Sequence, residues 1–172
     1  ADIILLPVHK KTNSRRFTFS ESKWNLLKTA NRPVILVRPG ANEQRKRVLA
    51  AVNFQATRDY QKDLNSQILD RGKWLAQSYD ADFHVVNAYL DSMLYPDRGR
   101  LANQTGLPSN KIHVKQGYTD EVISAVAKEN DADVVIIGTL GQTGLTSTRR
   151  GNTAERVISA LDVDVVVVNQ HR

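Results

Sequence analysis

The 172-residue chain has no cysteine, so disulfides and thiolate metal sites are excluded. It also lacks any apolar run near the ~20 residues that span a bilayer, which argues for a soluble protein of the cytoplasm with no membrane partner. There is no initiator Met and no charged start before a cleavable apolar stretch. Ala1 opens straight into "DIILLPV", as expected of a piece of something longer. A dense, aromatic-interleaved basic tract is missing too. The net charge of +6 is spread over "KK" at 10, "RR" at 15, "RKR" at 45 and "RR" at 149, a pattern that favours an ordinary solvated surface over specific nucleic-acid binding.

What is present is alternation. "RVLAAVN" (47–53), "DFHVVNAY" (82–89), "KIHVKQ" (111–116), "ADVVIIG" (132–138) and "DVVVV" (164–168) read as strands, the last two apolar throughout, as strands covered on both faces are. Between them, residues 60–79 carry Leu64, Ile68 and Leu75 at helical spacing. Val122, Ile123, Val126 and Ala127 mark a second helix, and Ala154, Val157, Ile158 and Leu161 a third. Strands alternating with helices give a doubly wound α/β fold, a parallel sheet with helices on both faces. Residues 90–110, rich in Pro, Gly and Asn, carry no clear helical stripe, which leaves either a vestigial crossover helix or missing residues.

Residues 1–38 lie without a gap on residues 132–169, residue 1 on residue 132, a constant offset of 131. "ADIILLPVHK" falls on "ADVVIIGTLG", and "NRPVILVR" on "DVDVVVVN". The expected organisation is therefore a strand-helix-strand remnant of an upstream repeat (1–38), a polar linker (39–46) and a complete domain (47–172). A tail with two apolar strands cannot form a core alone, so its partners are the other copy of the domain in a tandem chain and, for this piece, a second chain in a homodimer.

The two copies differ where chemistry would sit. Gly138, Gly141, Gly151 and Asn152 of the second copy correspond to Pro7, Lys10, Ser20 and Glu21 of the first. Glycines past a strand end, with Asn152 capping a helix and Glu155 three residues on, suit an anion held by main-chain amides, and Arg149 and Arg150 lie close by in sequence. The residues alone leave two readings, a phosphate cradle or a turn and helix cap. Neither a G-K-[ST] loop nor a first-turn G-x-G-x-x-G is present.

Gly138, two residues, Gly141, nine residues, Gly151 resembles the G-2x-G-9x-G-(S/T) signature of the universal stress protein family, and the similarity covers both the tail and the domain. It implies a sheet in the order 3-2-1-4-5, tandem domains packed through their last strands, and a bacterial stress-response role with ATP or a related adenine nucleotide as ligand. Ligand contacts would come from Val52, Asn53 and Ala88 on the first two strands and from Gly138, Gly141, Gly151, Asn152 and Thr153 on the loop. Asn53 stands where ATP-binding members carry Asp, and Asn152 where they carry Ser or Thr. The alternative is an interaction or apolar-ligand (lipid) module whose loop is only structural. No nucleophile, base and orienting residue are arranged for catalysis, so the protein is read as no enzyme, beyond weak ATPase activity, with no metal. His9, His84, His113 and His171 are read as structural or exposed, Trp24 and Trp74 as packing residues, and Asp162 and Asp164 as solvated turn residues.

Overall fold

The structure is a computed structural model that describes residues 3–8, 20–139 and 153–170. Its elements are β1 (Ile4–Pro7), α1 (Glu21–Thr29), β2 (Val34–Val37), β3 (Arg47–Ala51), α2 (Asp59–Tyr79), β4 (Asp82–Tyr89), α3 (Arg98–Thr105), β5 (Ile112–Gln116), α4 (Thr119–Glu129), β6 (Val134–Thr139), α5 (Thr153–Ala160) and β7 (Asp164–Asn169). The strands form one seven-stranded sheet in the order β1-β2-β7-β6-β3-β4-β5. From β3 onward the order is the expected 3-2-1-4-5. The sheet differs from the expectation in running on, through β2 and β1, beyond the last strand of the domain.

Alternate strand residues feed two apolar layers. On one face Leu49, Val86, Val135 and Val165 pack with Leu27 of α1, Val122, Ile123 and Val126 of α4, and Val157 and Ile158 of α5. On the other, Ala50, Val85, Ile136 and Val166 pack with Leu64, Ile68 and Leu75 of α2 and Leu101 of α3. Helices therefore cover both faces, which explains why β6 and β7 read as unbroken apolar runs.

The internal repeat recurs in the structure residue for residue. β1 and β2 pair in parallel with Ile4 opposite Val34, and their counterparts β6 and β7 pair with Val135 opposite Val165. β2 and β7 then run antiparallel, with Ile35 directly opposite Val166, which is its own counterpart in the other copy. Val34 faces Val167 and Leu36 faces Val165 about that centre. The junction is thus pseudo-twofold, with the same strand used from both sides.

The strand ends reach across this axis in the same sense. Arg38, buried, donates from Nη2 to the Ile158 carbonyl (2.6 Å) in the last turn of α5 and from Nε to Val163 O (2.8 Å). Its counterpart Asn169, also buried, donates from Nδ2 to the carbonyl of Ala30 (3.0 Å), which caps the end of α1. A guanidinium on the Ile158 carbonyl satisfies a group that the helix end leaves open and complements its dipole. Burial lowers the pKa of Arg38 while Asp162 and Asp164 raise it.

Two expectations need correction, and one open alternative is decided, in favour of a vestigial crossover helix in 90–110. Asp164 is not a solvated turn residue. It is 1% exposed, accepts from Arg38 N (2.8 Å) and pairs with Arg45 Nη2 at 2.5 Å, holding the connection from the tail against the first residue of β7. Trp74 is not a packing residue but half exposed, with the guanidinium of Arg71 over its ring at 5.5 Å, whereas Trp24 does pack against the core. The segment 90–110 holds a short helix, α3, started by Asp97, whose side chain accepts from Gly99 N and Arg100 N, and ended by Gly106 at φ 70°. Only Leu101 and Thr105 of that helix are buried, too few to give a periodic stripe.

Candidate functional site

The chain steps from β3 to β4 to β5 in one direction and then returns to β6 on the other side of β3. The carboxyl ends of β3 and β6 thus flank the point where the winding reverses, the place where open α/β sheets form a crevice. Val52, Asn53, Ala88 and Gly138 lie at the carboxyl ends of β3, β4 and β6, and Thr153 is the exposed first residue of α5. Gly141, Gly151 and Asn152, with His9 and His171, lie outside the described residues.

Each described residue has a physical reason to be where it is. Val52 is buried, and its N–H donates to Val86 O (3.0 Å), the last rung between β3 and β4. Asn53 is exposed, and its main chain is clamped by one side chain: Asn65 Oδ1 accepts from Asn53 N (2.9 Å) while Asn65 Nδ2 donates to Asn53 O (2.7 Å). The Asn53 carboxamide is therefore displayed from a fixed backbone. Phe54 N donates to Asn87 Oδ1 (2.7 Å), and the Ala88 carbonyl accepts from Gln55 Nε2 (2.9 Å) and Asn87 Nδ2 (3.0 Å). Asn87 Nδ2 also donates to Gln55 Oε1 (2.7 Å).

Gly138 is a glycine because α2 sits on it. A Cβ there would come within 2.8 Å of Leu64 Cγ and Cδ2 and of Ile68 Cδ1. The first glycine of the motif is thus accounted for by helix-on-strand packing alone.

The amides Asn65, Asn87 and Gln55 were not among the residues singled out from the sequence. A signal existed for two of them. Asn65 interrupts the apolar face of α2 between Leu64 and Ile68, and Asn87 follows the buried run Val85-Val86. A buried carboxamide in such a place must be satisfied, and here it holds a loop.

The histidines also differ from their separate appearance in sequence. His84 on β4 and His113 on β5 join ring to ring, Nδ1 to Nε2, at 3.0 Å. Burial, the other ring and Arg47 lower the pKa of His84 to about 4, and burial and Lys115 lower that of His113. Among the described residues no group of three His, Asp or Glu could hold a metal ion. Among them, too, no helix is long and apolar enough to cross a membrane.

Comparison with known proteins agrees with this fold. Residues 97–169 match the universal stress protein family. The chain is 33% identical over 171 residues to a universal stress protein E homolog of Haemophilus influenzae, a match covering 86% of this chain and 55% of that one. Its fold is similar to that of a functionally unknown protein from Pseudomonas aeruginosa PAO1, with a TM-score of 0.81 at 26% identity over 98% of this chain and 63% of the other. A universal stress protein solved in complex with cAMP shares the fold at 17% identity and a TM-score of 0.53, over 75% of this chain and all of that one. The chain therefore spans between about half and two thirds of the length of its larger relatives. The matched segment, and the similarity that extends through the strands before it, identify a universal stress protein domain in this chain.

Proposed function

We propose that the crevice at the carboxyl ends of β3, β4 and β6 binds an adenine nucleotide, and that the protein acts by binding rather than by turnover in a bacterial stress response. The observation that carries this is the arrangement of Val52, Asn53 and Ala88 about the reversal point of the sheet, with Gly138 leading toward the start of α5. The displayed carboxamide of Asn53 offers donor and acceptor to a ribose or base, without the carboxylate that ATP-binding relatives carry there. Main-chain amides at Gly141, Gly151, Asn152 and Thr153 would take the phosphates. One related structure holds cAMP, a ligand of the same class.

The test is isothermal titration of ATP with Mg²⁺ into the protein and into a Gly141→Arg, Gly151→Arg variant. Micromolar binding that the variant loses, with an unchanged melting temperature, is expected. Equal affinity in the two would remove the loop from the site.

Two observations favour a second reading, an interaction module. Gly138 needs no ligand to explain it, and Leu90, Met93, Leu94, Tyr95 and Tyr118 stand exposed after β4 and β5. Absence of heat with any nucleotide, together with retention of a protein or lipid on that surface lost on Met93→Lys, would select it.

We also propose that residues 1–38 are part of a first domain of the same kind, 39–46 a linker and 47–172 the second domain. The matching registers of β1–β2 and β6–β7 support this.

A further inference from the structure

We propose that Gln55 is a built-in occupant of the base end of this crevice, a side chain that a nucleotide must displace. The proposal rests on the nucleotide reading and adds to it how the crevice is held closed.

β3 ends at Ala51, and the last bond joining it to β4 runs from Val52 N to Val86 O. β4 continues to Tyr89 against β5. In a parallel ladder the main-chain groups of residues two apart face the same neighbour, so those of Ala88 face the space that β3 has vacated. The segment after Val52 folds back into this space, and Gln55 fills the hydrogen-bonding role of a ligand there. Its Nε2 donates to Ala88 O (2.9 Å) and its Oε1 accepts from Asn87 Nδ2 (2.7 Å).

A carboxamide has its donor and acceptor on atoms either side of one carbon. The amidine edge of adenine, with its 6-amino donor and the adjacent ring-nitrogen acceptor, has the same spacing. The pair formed by Ala88 O and Asn87 Nδ2 is complementary to both. Asn87 is itself fixed, being 1% exposed and accepting from Phe54 N through Oδ1 (2.7 Å), so the pair is pre-set rather than induced.

The side chain can leave without its loop. The backbone around it is held by other groups, namely Asn65 on Asn53, Asn87 on Phe54, and Ala56 N on Asn53 O (3.3 Å). Gln55 is half-buried, so displacement costs its two hydrogen bonds and little packing. Binding by displacement is weakened by the population of the closed form, and removing the plug removes that penalty.

The experiment is titration of ATP into the protein, Gln55→Ala and Gln55→Met, the last keeping the length of the side chain without its donor and acceptor. Both variants are expected to bind about tenfold more tightly, as one or two hydrogen bonds cease to compete. Purine riboside triphosphate, which lacks the 6-amino donor, should gain less. In the unaltered protein the side-chain NH₂ protons of Gln55, slow to exchange by NMR, should lose that protection at saturating ATP. If the protein binds ATP and Gln55→Ala binds it no more tightly, or if the NH₂ protons stay protected in the complex, the plug is wrong and the nucleotide site stands. If neither protein nor variant binds ATP, the nucleotide reading fails and takes the plug with it.

Discussion

At the scale of single residues, two sites report on the fold without any ligand. Gly138 lies under Leu64 and Ile68 with no room for a methyl group. Gly138→Ala should lower stability by about 1–3 kcal/mol through overpacking, read as a shift of the urea midpoint. A variant as stable as the parent would mean that α2 can retreat. The joined histidines set a pH dependence. A neutral pair shares one hydrogen bond, whereas two imidazolium rings at 3.0 Å repel, with Arg47 and Lys111 beside His84, and Lys115 and Arg98 beside His113, offset in part by Asp82 and Glu129. With the folded pKa of His84 depressed to about 4 against the ordinary ~6.5, the unfolded chain binds the proton first. Stability is then fully present above about pH 6.5 and falls as the pH drops toward 4, by at most about 3 kcal/mol for this ring. Urea midpoints at pH 7.5, 5.5 and 4.5 should decline in that order, and His84→Phe should flatten the decline; an equally steep decline in the variant would assign it elsewhere. Neither feature was readable in sequence. The histidines are 29 residues apart and meet only through strand pairing, and the packing partners of Gly138 on α2 are invisible in a local motif.

At the scale of elements, the junction between β2 and β7 is where charge is spent on position. Asp164 receives Arg45 and the Arg38 amide, and the Arg38 side chain closes the end of α5. Asp164→Asn keeps the shape and removes the charge opposite Arg45, which should cost about 2–3 kcal/mol and loosen the tail from the domain. Faster amide exchange in β2 than in β4 of that variant would show it, and unaltered exchange in β2 would deny the junction its dependence on this carboxylate. Element types followed from the sequence almost throughout, because long apolar runs and helical stripes are direct consequences of two covered faces. The exception was α3, in which two buried residues carry no period and the N-cap Asp97 and C-cap Gly106 are the only local marks. Asp164, read from its neighbours as a turn residue, shows the limit of such reading. A charged side chain at a strand start is exposed by default, and only Arg38 and Arg45, more than a hundred residues earlier, make its burial affordable.

At the scale of the whole molecule, the repeat predicts what the sheet lacks. Leu5 on β1 is 68% exposed, while its counterpart Ile136 on β6 is fully buried between β3 and α2. The cover that β3 and α2 give Ile136 has no counterpart over Leu5 among the described residues. The 172-residue chain should cover that surface with a second copy of itself. Light scattering should give a dimer that Leu5→Lys reduces to a monomer; a monomer in both cases would leave the surface uncovered. The repeat was readable in sequence because the copies align without a gap, whereas the order of the strands within the domain was implied by the family resemblance. Val52, Asn53 and Ala88, at the reversal point of the sheet, were named from family resemblance, whereas the amides that set their backbone were not. The most direct test of a nucleotide site in this crevice is an NMR titration of the isotope-labelled chain with ATP and Mg²⁺. Saturable amide shifts concentrated at Val52, Asn53, Ala88, Gly138 and Thr153, with β1, β2 and the far ends of the strands unmoved, are expected. Shifts confined to any other surface, or none at millimolar nucleotide, would contradict it.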